Sequence, residues 1–203
     1  LYDFFLMDKD TLYFAVGDVS GKGVPASMFM AITRSAFRFI AKTGAPMNDV
    51  VSQINNSLCD GNDSQLFVTM FVGRLQLSTG TLEYCNAGHN PVIVNGSFLP
   101  VKANLALGLM ADFPYQLQTV KLDAGSRIFV YTDGVTEAER ADKEQYGEKR
   151  LLERIRSLKQ SCTDKHICES VMESVHDFAS GNAQNDDITV LSITLKQTST
   201  SLA

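Results

Sequence analysis

The chain has 203 residues, 44% of them hydrophobic and 20% charged, enough apolar content for a packed core in one large domain or two small ones. Its net charge of −5 argues against a general nucleic-acid binder, which presents a basic face. No apolar run is long enough to cross a bilayer, and the four cysteines form no CxxC pair, which removes zinc modules and disulfide frameworks and leaves a reducing, cytoplasmic setting.

The opening LYDFFLMD is already strand-like and has no initiator Met, as expected of a domain inside a larger or membrane-tethered protein. Residues 2–7 and 11–17 read as strands around the turn Asp8-Lys9-Asp10. DVSGKGVPA follows as a Gly-rich connection, with Pro25 placed for the first turn of a helix over 25–42. That helix has an apolar arc too wide for a simple surface helix: Phe29, Ile32, Ala36 and Phe39, extended by Met30, Phe37 and Ala41. Two readings fit, core packing on both sides or one side against a partner. A second helix is expected over 46–58. Strands are then predicted at 67–77, at TLEYCNAG, and at 92–94, 98–101, 115–122 and 127–132, with helices at 147–158 and 164–179 and a last strand at 188–195. Hairpins dominate and helices come in separate blocks, which is not the β-α-β alternation of a Rossmann-like fold. The expected fold is α+β, a four-layer α-β-β-α sandwich of two antiparallel sheets flanked by helices. Residues 1–197 would form a single domain and 198–203 a frayed tail.

Three aspartates end apolar strand-like runs: Asp18 in AVGDVSGKG, Asp133 in IFVYTDGVTEA and Asp186 in NAQNDDITVLSI. Each motif alone also reads as an ordinary turn. Converged carboxylates repel one another unless a cation lies between them, and hard divalent metals take oxygen ligands of this kind. Asp187 adjoins Asp186, but side chains alternate along a strand, so one of the pair is expected to reach a shared site. DVSGKGVPA is not a phosphate loop, because only three residues separate Gly17 from Gly21 and no Ser or Thr follows Lys22. His89 in NAGHNP reads either as a general acid or, more economically, as a loop-shaping residue.

Taken in order, YDFF, VGDVSGKGVPASMFMA, FVTMFVG, YCNAGHNPV, LALGLM, FVYTDGVTEA and NDDITVL resemble the metal-dependent (PPM-type, protein phosphatase 2C-like) serine/threonine phosphatases. The likeness is greatest to their bacterial SpoIIE/RsbU branch, which acts in partner-switching control of sigma factors. The resemblance implies two Mn²⁺ or Mg²⁺ ions. Asp18 would bridge them, the backbone carbonyl of Val19 would be a further ligand, and Asp133 and Asp186 would complete one metal's shell. The family pattern places one more acidic ligand immediately before Leu1, so the second metal's shell is expected to be incomplete within the present sequence. Asp3 occupies a different family position and is not expected to be a ligand. The implied reaction is hydrolysis of phosphoserine by metal-activated water, with a phosphorylated STAS-domain anti-sigma antagonist as substrate and an upstream sensor segment or a homodimer as regulatory partner. The rival reading is a non-catalytic phosphoprotein-binding or signal-relay module on the same fold.

Overall fold

The computed structural model describes residues 1–182, 184 and 186–196, so the tail expected at 198–203 lies outside the described residues. The described residues form two compact units, one of residues 1–89 and 101–122, the other of residues 90–100 and those described from 123 to 196.

In the first unit the order of strands is β1-β2-β3-β4-β7, all neighbours antiparallel. They are β1 (Tyr2–Leu6), β2 (Thr11–Val19), β3 (Val68–Gln76), β4 (Thr81–Ala87) and β7 (Gln118–Lys121), with helices α1 (Gly23–Ala41) and α2 (Met47–Cys59). Alternation along the strands sends Tyr13, Ala15, Met70, Val72 and Cys85 into one core with Phe29 and Phe37 of α1 and Val50, Ile54 and Leu58 of α2. The β1–β2 turn is closed by the Asp8 carboxylate, which accepts from the backbone N–H of Asp10 at 2.7 Å and of Thr11 at 2.8 Å.

The second unit has strand order β6-β5-β8-β9, again antiparallel, and two helices. Its strands are β5 (Ile93–Val94), β6 (Ser97–Phe98), β8 (Arg127–Tyr131) and β9 (Val190–Thr194); its helices are α3 (Gly147–Ser157) and α4 (Asp164–Ala179). Ile93, Phe129 and Tyr131 pack with Leu151 and Ile155 of α3 and with Ile167, Val171, Val175 and Phe178 of α4. Thr163 caps α4 by accepting from the N–H of His166 at 3.2 Å. Two antiparallel sheets with helices in blocks give the expected α+β class. No helix among the described residues is long and apolar enough to cross a membrane.

Some elements differ from the expected ones. The strand expected at 98–101 ends at Phe98, and Pro100, without an N–H, cannot extend the ladder. The strand expected from 188 starts at Val190 because the Thr189 N–H donates to the Thr132 hydroxyl at 2.9 Å instead of joining the sheet. Helix α1 is not packed on two sides. Ala26, Phe29, Thr33, Phe37, Ile40 and Ala41 are buried, whereas Val24, Met28, Ile32 and Phe39 face solvent, Phe39 with 78% of its surface exposed. The wide apolar arc is therefore one core face and one bare face.

Asp3 of β1 is buried, and Arg38 of α1 grips it with two hydrogen bonds, Nε to Oδ2 at 2.8 Å and Nη2 to Oδ1 at 2.5 Å; Arg34 Nε lies 3.6 Å away. The Arg38 hydrogen bonds hold the Asp3 carboxyl below its usual range against the opposing effect of burial. A carboxylate lowered on folding adds stability that is complete above its unfolded value, about pH 4, and is lost as pH falls through the folded value. Asp3→Asn is accordingly expected to flatten the acid limb of the stability curve. Urea midpoints at successive pH values below 5 check this: the wild type should fall more steeply than the variant.

Candidate metal centre

Strand β8 is buried at all five positions and delivers the chain to Thr132, where it breaks into a single 3-10 turn, Asp133–Val135. The turn is held by the Asp133 carbonyl, which accepts from the Glu137 N–H at 2.8 Å and the Thr136 hydroxyl at 3.2 Å. The Asp133 side chain is thereby fixed at the rim of the sheet. Its Oδ1 is buried and has no hydrogen-bond partner among the described residues. A buried acceptor without a donor costs free energy, more when the group is charged.

Asp186 lies on the segment entering β9. Its Oδ1 accepts from the N–H of Asp187 at 2.8 Å, and its carbonyl accepts from Gln184 Nε2 at 2.6 Å. Carboxylate oxygens of Asp133 and Asp186 lie within 4.8 Å of each other. At that separation two unit charges repel by roughly 1 kcal/mol in bulk water and about 3 kcal/mol at an effective dielectric of about 20. The negative potential extends to Glu137, whose carboxyl is raised above its usual range by burial first and then by the charges of Asp133 and Asp186. Paired carboxylates, one with a buried oxygen that no donor among the described residues meets, offer oxygen ligands of the kind hard divalent cations take. The residues present therefore fit a metal.

Thr132, which sequence reasoning passed over, holds the two segments together. Its hydroxyl donates to the Asp187 carbonyl at 3.1 Å and accepts from the Thr189 N–H, while its own N–H donates to the Thr189 carbonyl at 3.0 Å. Gly134 allows the approach: a Cβ there would sit 2.5 Å from the Asp187 carbonyl oxygen. The signal was present in Thr-Asp-Gly, which reads as a turn but also supplies a clamp and a gap. Asp187 carries its carbonyl into this contact.

In the first unit, Asp18 is the penultimate residue of β2 and pairs with Thr69, and Val19 pairs with Val68. The strand runs two residues beyond the predicted end at 17. Just past it, the Ser20 N–H donates to the Phe67 carbonyl at 2.9 Å and the Ser20 hydroxyl accepts from the Phe67 N–H at 2.8 Å, which pins the start of the Gly-rich loop. A Cβ on Gly17 would lie 2.7 Å from the Thr69 carbonyl oxygen, so glycine is required beside Asp18. His89 is buried with its Nδ1 3.1 Å from the Thr69 hydroxyl, and its N–H donates to Asn86 Oδ1 at 2.7 Å. These contacts fit the loop-shaping reading of His89. His166 and His176 lie on α4. Asp133 and Asp186 are thus brought together within one unit, and Asp18 and Val19 sit at a strand end of the other.

Gly134→Ala is expected to push the Asp187 carbonyl away and separate the two carboxylates. The cost should be about 1–3 kcal/mol of stability, typical of overpacking, together with weaker Mn²⁺ binding. Thermal melts and calorimetric Mn²⁺ titration of the variant check both parts.

Comparisons with known proteins place the chain in a family. The family model for stage II sporulation protein E (SpoIIE) matches residues 8–196. Protein IcfG of Synechocystis is 31% identical over 95% of this chain and 35% of its own length. The phosphoserine phosphatase RsbU of Bacillus subtilis is 30% identical over 86% of this chain and 51% of its own length. The chain thus spans about half or less of the curated relatives it matches. Among solved structures, the PP2C phosphatase domain of Bacillus subtilis SpoIIE superposes with a TM-score of 0.82 at 20% identity, covering 97% of this chain and 58% of that one. The SiaA PP2C domain of Pseudomonas aeruginosa gives 0.82 at 17% identity, over 96% and 79%. RsbX, solved in complex with magnesium, gives 0.66 at 17% identity, over 95% and 84%. A family match over nearly the whole chain, on the fold shared with these PP2C domains, makes this chain a member of the SpoIIE family.

Proposed function

We propose that residues 1–197 are the catalytic domain of a metal-dependent phosphoprotein phosphatase acting on phosphoserine. The observation that carries this reading is the buried Oδ1 of Asp133, which has no hydrogen-bond partner among the described residues, beside Asp186. In the proposal Asp18 would join Asp133 and Asp186 as an oxygen ligand shared by two divalent ions, Mn²⁺ or Mg²⁺, and the Val19 carbonyl would contribute a further oxygen. Bound divalent ions would reverse the local charge and activate water for attack on phosphorus. The residues of the chain hold the geometry: Thr132 and Gly134 set the distance between the carboxylates, and the aspartates act as ligands, not as covalent nucleophiles. A dianionic phosphoserine could not approach this set of carboxylates without such reversal.

The likeness to RsbU, named a phosphoserine phosphatase, supports phosphoserine as the group attacked; in the proposal its carrier is a phosphorylated STAS-domain antagonist in sigma-factor control, and the chain acts within a cytoplasmic signalling protein. The bare face of α1, with Val24, Met28, Ile32 and Phe39, supports a regulatory contact with an upstream segment or a second copy, because apolar surface of this kind is stabilised by being covered.

Asp133→Asn keeps the shape and removes the charge. It is expected to lower metal-dependent turnover of a phosphoserine protein by at least about 100-fold, since even outer-shell partners of metal ligands are worth 10–100-fold. EDTA should abolish wild-type turnover and Mn²⁺ restore it. Near-wild-type turnover of the variant, or turnover surviving rigorous chelation, would contradict the proposal.

A further inference from the structure

A cavity of about 310 Å³ opens in the second unit at the start of β8, within the size range of small-ligand pockets. Its walls come from the β5–β6 turn (Asn95, Gly96), the turn leading into β8 (Asp123 to Arg127), and the end of α3 with the residues after it. Arg127 lines it and is only 6% exposed. Its Nη2 donates to the carbonyls of Gln160 at 3.2 Å and Cys162 at 3.0 Å, and its Nε to the Thr194 hydroxyl at 3.4 Å. These are neutral acceptors, and Arg127 forms no ion pair among the described residues. Asp164 is reached only through the Thr194 hydroxyl, which donates to it at 2.7 Å. No acceptor among the described residues meets Arg127 Nη1.

Arg156 adds a second cation to the same wall. Its Nε donates to the Gly96 carbonyl at 2.7 Å, and both of its terminal nitrogens are left without a protein acceptor among the described residues. The buried Ser126 hydroxyl accepts from Asn95 Nδ2 at 3.2 Å, which leaves its own proton to donate. Asp123 is the one carboxylate on the wall, against two guanidinium groups. A buried guanidinium is stable when its charge is matched, and planar N–H pairs match the oxygens of phosphate or carboxylate.

We propose that this cavity binds a small oxyanion-bearing ligand, a phosphate ester or a polycarboxylate, through Arg127 Nη1, the terminal nitrogens of Arg156 and the Ser126 hydroxyl. The site is separate from the candidate metal centre. Strand β8 carries Arg127 at one end and leads to Asp133 at the other, and its five residues span about 13 Å. The inference does not rest on the phosphatase reading.

The test is calorimetric titration of the protein with pyrophosphate and, separately, with citrate, after an immobilised chelating resin has stripped divalent ions and with no soluble chelator present, so that neither a metal nor a competing polycarboxylate intervenes. Saturable binding of at least one probe is expected, and which one binds distinguishes phosphate from carboxylate chemistry. Arg156→Gln, on the exposed end of α3, should weaken binding by about tenfold or more, the loss expected of one charge-assisted hydrogen bond. Lys149→Gln, on the same helix but away from the cavity, should change affinity by less than about twofold. Absence of saturable binding by the wild type overturns the proposal. So does equal weakening by both variants, which would mark a diffuse charge effect, and so does binding lost in Asp133→Asn but kept in Arg156→Gln.

Discussion

Two carboxylates held within 4.8 Å of each other, one with a buried oxygen that has no partner among the described residues, are the constraint on which the second unit is organised. Folding must oppose their repulsion with other interactions unless a cation offsets it. The rest of the unit explains how the pair is held. Strand β8 is buried along its whole length, so its end cannot drift, and the 3-10 turn after it fixes where the Asp133 side chain leaves the backbone. The Thr132 hydroxyl then joins that turn to the segment carrying Asp186 from two directions, to the Asp187 carbonyl and from the Thr189 N–H.

The same logic separates the acidic residues by role. Asp3 is as buried as any carboxylate in the first unit, yet Arg38 satisfies both of its oxygens. Asp8 and Asp10 are engaged by turn N–H groups, Asp10 accepting from Ser78 at 2.6 Å. Asp133 has no such donor for Oδ1 among the described residues. Proximity of carboxylates alone does not favour a metal; an enclosed oxygen left without a donor is the observation on which the proposed metal site rests.

Much of this was legible in the sequence. Alternation in β2, the apolar runs of β3 and β8 and the 3.6-residue period in α2, α3 and α4 located the elements, because those segments bury one or both faces fully. Asp18 and Asp133, each at a strand end beside a glycine, and Asp186, in the Asn- and Asp-rich segment before the last strand, were the candidate ligands the sequence offered. The misses have local causes. The start of β9 shifted because a side-chain hydroxyl took the place of a ladder partner, and a single such bond leaves no trace in a hydrophobic pattern. Of the two readings of α1, packing on both sides is not what forms, because apolar composition records what a face could bury, not what covers it; Phe37 is core and Phe39 is solvent-facing two residues later. The Arg127 cavity was invisible because three segments distant in sequence build its walls.

The central claim is that Asp133 and Asp186 hold a divalent cation. Anomalous diffraction from crystals grown with Mn²⁺ tests it most directly. The account predicts an anomalous peak within ligand distance of both carboxylates, about 2.0–2.6 Å for hard cations on oxygen, and its loss in Asp133→Asn crystals. A wild-type map with no peak there at saturating Mn²⁺, or an undiminished peak in the variant, would contradict it.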